Sequence, residues 1–242
     1  MTTSYVERPT ALLDEAVVLR RCAVWRNAFK GLSVSYPAEL LSFESAAEWL
    51  RRHRVTVDVV TAAEFNLALA SGIRSAQIVL HPRNAVAIAC TGTGEAARLV
   101  VDSVQQAAAV ARGAQRREHV LVRAGHEMPA VVAEVLRHRQ LDLVGLHCSA
   151  DPSQDALGLA ALRTALADMA MIGRRHVVLL SRISLAGLDG GLFGLHPWAL
   201  RRVADALSEV VEEQCARYRI PRPALTVAPS VHALLPRDVN AA

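Results

Sequence analysis

The chain has 242 residues, of which 52% are hydrophobic and 21% charged, a balance that excludes a disordered or linker protein and fits one α/β domain. No apolar run reaches the roughly 18 residues needed to cross a bilayer, and four scattered cysteines (Cys22, Cys90, Cys148, Cys215) carry neither a C-x-x-C pair nor a disulfide framework, so the expected setting is the cytoplasm. Of the 27 basic residues only Lys30 is a lysine, which leaves one candidate for any chemistry that needs an amine.

In chain order, the periodicities predict a helix over Leu12–Phe29, a strand over Leu32–Tyr36, a helix over Ala38–His53, a strand over Val55–Val60 and a helix over Ala62–Ala70. Strands at Gln77–His81 and Arg98–Asp102 follow, then a helix at Val104–Arg112, a strand at His119–Arg123 and a helix at Pro129–Arg139. The pattern closes with strand Leu141–His147, helix Asp155–Met171, strand His176–Ser181, helix Pro197–Tyr218 and strand Ala224–Ala228. Eight apolar strands alternating with helices predict a parallel α/β fold, a single-domain (β/α)8 TIM-type barrel. Residues 1–30 read as an N-terminal extension and helix, and residues 31–242 as the barrel. The rival, a doubly wound sheet, lacks the glycine-rich phosphate signatures of nucleotide-binding folds.

Chemistry in such barrels sits at the C-terminal ends of the strands. Those ends hold Tyr36 and Glu39, Asp58, His81, Asp102, Arg123, His147, Ser149, Arg182 and Ser230. Within this ring, Glu39, Asp58, His81, Asp102, Arg123 and His147 form the candidate pocket for a small molecule. The histidines and aspartates come from different strands without metal-ligand spacing, so no metal is expected. The loop Gly187–Leu192 after the seventh strand, with Gly190 and Gly191, is a candidate phosphate cradle, and Ser153 a further candidate. Arginine pairs such as Arg51-Arg52 and Arg174-Arg175 lie on helix surfaces without interleaved aromatics, so neither nucleic acid nor membrane is an expected partner.

In order and spacing, several segments resemble the PLP-dependent fold-type III decarboxylases, diaminopimelate decarboxylase above all, whose N-terminal domain is an alanine-racemase-like barrel. They include Asp58-Val59-Val60-Thr61 with Glu64, Ile78-Val79-Leu80-His81, Val101-Asp102-Ser103, Val120-Leu121-Val122-Arg123, Leu143-Val144-Gly145-Leu146-His147 with Ser153-Gln154, and Pro223-Ala224-Leu225-Thr226-Val227. The resemblance implies a PLP-dependent amino-acid decarboxylase, with PLP held as an imine on a lysine in a Tyr-Ala-x-Lys segment after the first strand.

The departures fall on that chemistry. The matching stretch reads Tyr36-Pro37-Ala38-Glu39, so a carboxylate stands where the family has its lysine. Lys30 precedes the strand and is expected about 20 Å away, from a rise of roughly 3.3 Å per residue. The family's Glu-Pro-Gly-Arg after the eighth strand reads Ala228-Pro229-Ser230-Val231, its ring-stacking histidine is replaced near Ser149-Ala150, and Asp189 replaces one of its loop glycines. The family's C-terminal β-domain has no counterpart. These losses predict a pseudoenzyme without PLP-lysine chemistry, serving as a binding or regulatory scaffold for a homologous decarboxylase chain or as a homodimer. The alternative is an enzyme retaining an amino-acid-like small-molecule site with altered lyase activity.

Overall fold

The computed structural model describes residues 15–81, 98–151, 153, 155, 157–189 and 196–235. Its eight strands are β1 (Ser33–Pro37), β2 (Thr56–Val59), β3 (Ile78–Leu80), β4 (Arg98–Val101), β5 (Glu118–Arg123), β6 (Leu141–Ser149), β7 (Arg182–Leu188) and β8 (Ala224–Pro229). All neighbours run parallel and β8 returns to β1, closing the barrel. Around it, among the described residues, lie α1 (Glu15–Ala28), α2 (Glu44–His53), α3 (Ala62–Ala70), α4 (Val104–Gly113), α5 (Met128–Arg137), α6 (Leu159–His176), α7 (Pro197–Tyr218) and the short α8 (Val231–Leu234).

Period-two alternation sorts the side chains into two compartments. Val34 and Tyr36, Val57 and Val59, Ile78 and Leu80, Leu99 and Val101, and Val120 and Val122 point outward into one continuous core shared with the helices. Fully burying a side chain of this size stabilises the fold by roughly 1.5–3 kcal/mol. Inside the barrel, Val79, Val100 and Leu121, with Val144 against them, form a separate small cluster. The remaining inward positions are largely polar, so the lumen is a chemical compartment more than a second core.

α1 joins the outer core. Trp25 stacks on Phe29 with ring centroids 5.0 Å apart, and the Tyr36 hydroxyl donates to the Cys22 carbonyl oxygen at 3.0 Å. Tyr36, expected in the ring at the barrel mouth, is therefore an outer-core residue, because it alternates in phase with Val34.

Two strands break the simple alternation. β6 pairs with β5 through Val120↔Leu143 and then Leu121↔Gly145, skipping Val144. This bulge inverts the parity of everything after it. Leu141 and Leu143 point outward before it and Leu146 and Cys148 after it, which turns His147 into the lumen. β7 skips Gly187 between Ala186 and Leu188. Gly187 has φ +81, and a Cβ there would meet the Ala150 carbonyl oxygen at 3.2 Å, so glycine suits both the left-handed backbone and the close approach.

The seventh strand corrects the sequence reading. The apolar run Val177–Leu180 invites a strand over His176–Ser181, but α6 continues to His176 and the strand spans Arg182–Leu188. Val177, in the left-handed region at φ 54, is 91% exposed and Leu179 is 67% exposed, while Leu180 is buried and Val178 packs against the core, so the run is a linker with one side in solvent. Gly187 and Leu188 belong to β7 itself and not to the loop after it. The predicted helix over Ala38–His53 is divided into a 3-10 turn at Ala38–Ser42 and α2, with Phe43 extended between them.

Candidate functional site

Alternation and the β6 bulge bring four polar side chains together in the lumen. Asp58 is inward because Val57 and Val59 face out, and His81 continues the inward phase of Val79. Asp58 Oδ1 lies 3.2 Å from His81 Nε2, with both side chains mostly buried. The His81 ring meets the His147 ring edge-on at 4.8 Å, with 72° between planes. His147 Nδ1 is in turn 3.1 Å from Ser184 Oγ. The result is one contiguous chain, Asp58–His81–His147–Ser184, drawn from β2, β3, β6 and β7.

Electrostatics differ along this chain. His147 is 2% exposed, and burial first, then the proximity of His81 and Arg123, hold its pKa well below the usual imidazole value. It is neutral at physiological pH, so one ring nitrogen carries a proton and the other accepts one. On the N-terminal side, Arg98 and Arg182 share the lumen wall with Asp58, Ser184 and Thr226 around a residual space of about 10 Å³, room for one water molecule. Burial and the neighbouring Arg182 lower the pKa of Arg98, while Asp58 opposes them.

The remaining predicted residues within the described part of the structure do not join this chain through a hydrogen bond. Glu39 lies in the 3-10 turn after β1 and is exposed, with its carbonyl oxygen accepting from Ser42 Oγ at 2.7 Å. Asp102 follows β4, exposed, and its backbone N–H donates to Gln106 Oε1 at 3.1 Å. Arg123 ends β5, exposed, within electrostatic reach of His147. Ser153 is turned onto Asp151, its N–H and hydroxyl both donating to Oδ1 at 2.9 and 2.6 Å. Gly190 and Gly191 lie outside the described residues. Ser230 caps α8, its hydroxyl accepting from the Ala233 N–H at 3.2 Å.

Arg182 was expected at a strand's C-terminal end and instead opens β7, a direct result of the shifted strand. Ser184 and Arg98 were not singled out by sequence. Their signal was alternation: Ser184 sits between outward Ile183 and Leu185, and Arg98 precedes outward Leu99. Among the described residues, no three His, Cys, Asp or Glu side chains gather as a metal-ligating group, and no helix is long and apolar enough to cross a membrane.

The closed parallel sheet with histidine and aspartate joined in its lumen is an α/β barrel of the TIM type, and the comparisons find the same fold in decarboxylases. Diaminopimelate decarboxylase of Actinosynnema pretiosum subsp. auranticum is 27% identical over 264 residues, covering 91% of this chain and 57% of its own length. The solved diaminopimelate decarboxylase of M. jannaschii superposes with a TM-score of 0.75 at 15% identity, covering 92% of this chain and 60% of that one. Ornithine decarboxylase of Entamoeba histolytica gives 0.72 at 15% identity, with 92% and 65% covered. No protein-family model matches the chain. The chain is thus similar in sequence to a diaminopimelate decarboxylase and shares its barrel fold with solved decarboxylases, and it spans somewhat more than half the length of these relatives.

Proposed function

We propose that this chain is a decarboxylase-like barrel that has lost amino-acid decarboxylation and serves, in the cytoplasm, as a binding or regulatory scaffold, with a homologous decarboxylase chain or a second copy of itself as partner. One observation carries the reading: at the C-terminal end of β1 stands Glu39, while the chain's one amine, Lys30, is exposed at the N-terminal end of the same strand, lining a surface cavity there. A carboxylate cannot form an imine, and a rise of about 3.3 Å per residue along β1 keeps the amine far from that mouth.

The residues at the strand ends do not fit PLP. Glu39, Asp58, Asp102 and Asp189 repel a phosphate ester, and the rings of His81 and His147 pack edge-on against each other. Ala228, where the resemblance calls for an acid partner to the pyridine nitrogen, has no carboxylate, and Ser230 two residues on is a helix cap. Burial pushes the thiols of Cys22 and Cys148 up to about 12, which suits unreactive cysteines in a reducing compartment. The deciding experiment supplies the purified chain with PLP and diaminopimelate, ornithine or lysine and measures carbon dioxide release. No release above a protein-free control is expected, and PLP-dependent turnover overturns the proposal.

A second reading, an altered lyase on an amino-acid-like substrate, is favoured by the Asp58–His81 pair, an oriented acid–base couple. It requires that any activity found collapse in His81→Gln.

A further inference from the structure

The C-terminal mouth is dominated by carboxylates, and a cavity of about 290 Å³ lies at the other end of β1. Its wall comes from the last turn of α1, the start of β1 and the link from α2 to β2. Arg26, Lys30 and Arg54 contribute three cations, Asn27, Ser33 and Thr56 contribute hydrogen-bonding groups, and no carboxylate lines it.

Several observations show a site and not a chance dimple. None of the three cations has an ion pair with a described carboxylate, whereas Arg52 on α2 and Arg201, whose guanidinium reaches the Lys30 carbonyl oxygen, do. Arg26 is exposed, and its charge, with that of Arg52, adds to the effect of burial in lowering the pKa of His53 at the end of α2, so the positive field extends beyond the cavity wall. Gly31, at φ +98, has nothing within 4 Å of where a Cβ would sit, which keeps the floor open. Arg54 occupies a left-handed backbone position (φ 51) that glycine ordinarily fills.

We infer that this cavity at the N-terminal end of β1 is a binding site for a compact multivalent oxyanion, a phosphate ester or a di- or tricarboxylate, held by Arg26, Lys30 and Arg54. Planar guanidinium forks match both oxyanion types through paired hydrogen bonds, and the ammonium adds a point charge between them. The volume is at the small end of metabolite sites, so the ligand is a metabolite and not a polymer. No histidine, cysteine or carboxylate lines the site to activate a nucleophile, so its role is binding. It stands at the opposite end of β1 from Glu39 and does not depend on whether the barrel catalyses anything.

Because Lys30 is the chain's one lysine, it provides its own reporter. Reductive methylation with carbon-13 formaldehyde gives a single lysine side-chain resonance besides the amino terminus. Titration with inorganic phosphate and, separately, citrate at constant ionic strength is expected to shift that resonance saturably, and the stronger of the two identifies the source chemistry. Arg54→Gln and Arg26→Gln are each expected to weaken the response at least tenfold. Calorimetry on unmodified wild type and Lys30→Gln, whose exposed side chain is unneeded for folding, supplies a second readout with the same tenfold loss expected. A linear response, an equal response to chloride, or unchanged affinity in the variants overturns the site.

Discussion

The burial of His147 makes an acid-stability prediction that can be worked through. Its folded pKa lies well below the usual value, while in the unfolded chain it titrates near the ordinary value of about 6.5. Between those two values the unfolded chain binds a proton that the native chain does not, so stability rises with pH through this window and is lost as pH falls. One proton corresponds to a slope of up to about 1.4 kcal/mol per pH unit. For a chain of this size about 2–4 °C of melting temperature accompany each kcal/mol, which gives a fall of about 3–6 °C per pH unit below about pH 6 from this residue alone. Other groups titrate in the same range, so the informative quantity is the difference from His147→Gln, whose amide cannot be protonated there. The variant melts lower at pH 7 but with a slope shallower by one proton. Parallel melting curves against pH for the two proteins would refute the placement of a neutral His147 in the lumen.

Other expectations are more local. Gly145→Ala places a Cβ against the backbone carbonyl of Arg182, which cannot yield without parting β6 from β7; a loss of about 1–3 kcal/mol is expected from overpacking, read by urea denaturation. Val177→Gly relieves a β-branched residue at φ 54 whose side chain is almost fully exposed, and a gain of about 1 kcal/mol is expected in the same assay. Thr61→Ala removes half of the capping box in which Thr61 Oγ1 accepts from the Glu64 N–H at 3.2 Å, for a loss of about 1 kcal/mol. Thermal scans of all three variants at pH 7 give the same signs.

Much of the barrel was legible because buried parallel strands write themselves as short β-branched runs, and Val55–Val60 or Ala224–Ala228 admit no other reading in this length of chain. Helix α7 was legible to the residue, since Pro197 opens it at a position where the missing N–H costs nothing. The seventh strand was not, because Val177–Leu180 is as apolar as a strand and the sequence does not record that Val177 and Leu179 face solvent. The site was half legible. Asp58 and His81 follow from alternation, but His147 shares the parity of Leu141 and Leu143, and strict alternation would bury it among the helices. A bulge is a pairing event between two strands and leaves no mark in either alone. The pairing of His147 with Ser184 depends on that same event, and on a strand whose start was misplaced.

The β6 bulge gives this barrel something like a reading frame. Val144 is the residue that shifts the phase, and downstream of it His147 and Cys148 occupy alternate faces of one strand. Substitutions along β6 change one side chain at a time, and loss of Val144 would only remove the bulge, leaving Leu143 and Gly145 in plain alternation and His147 in the lumen; flattening the bulge with Val144 retained would instead exchange the two compartments, delivering a thiol to the lumen and an imidazole to the greasy shell outside. In this fold the lumen chemistry is thus set by one pairing step between β5 and β6, and a slip of a single residue there would replace it wholesale while the strand order and the closed sheet need not alter.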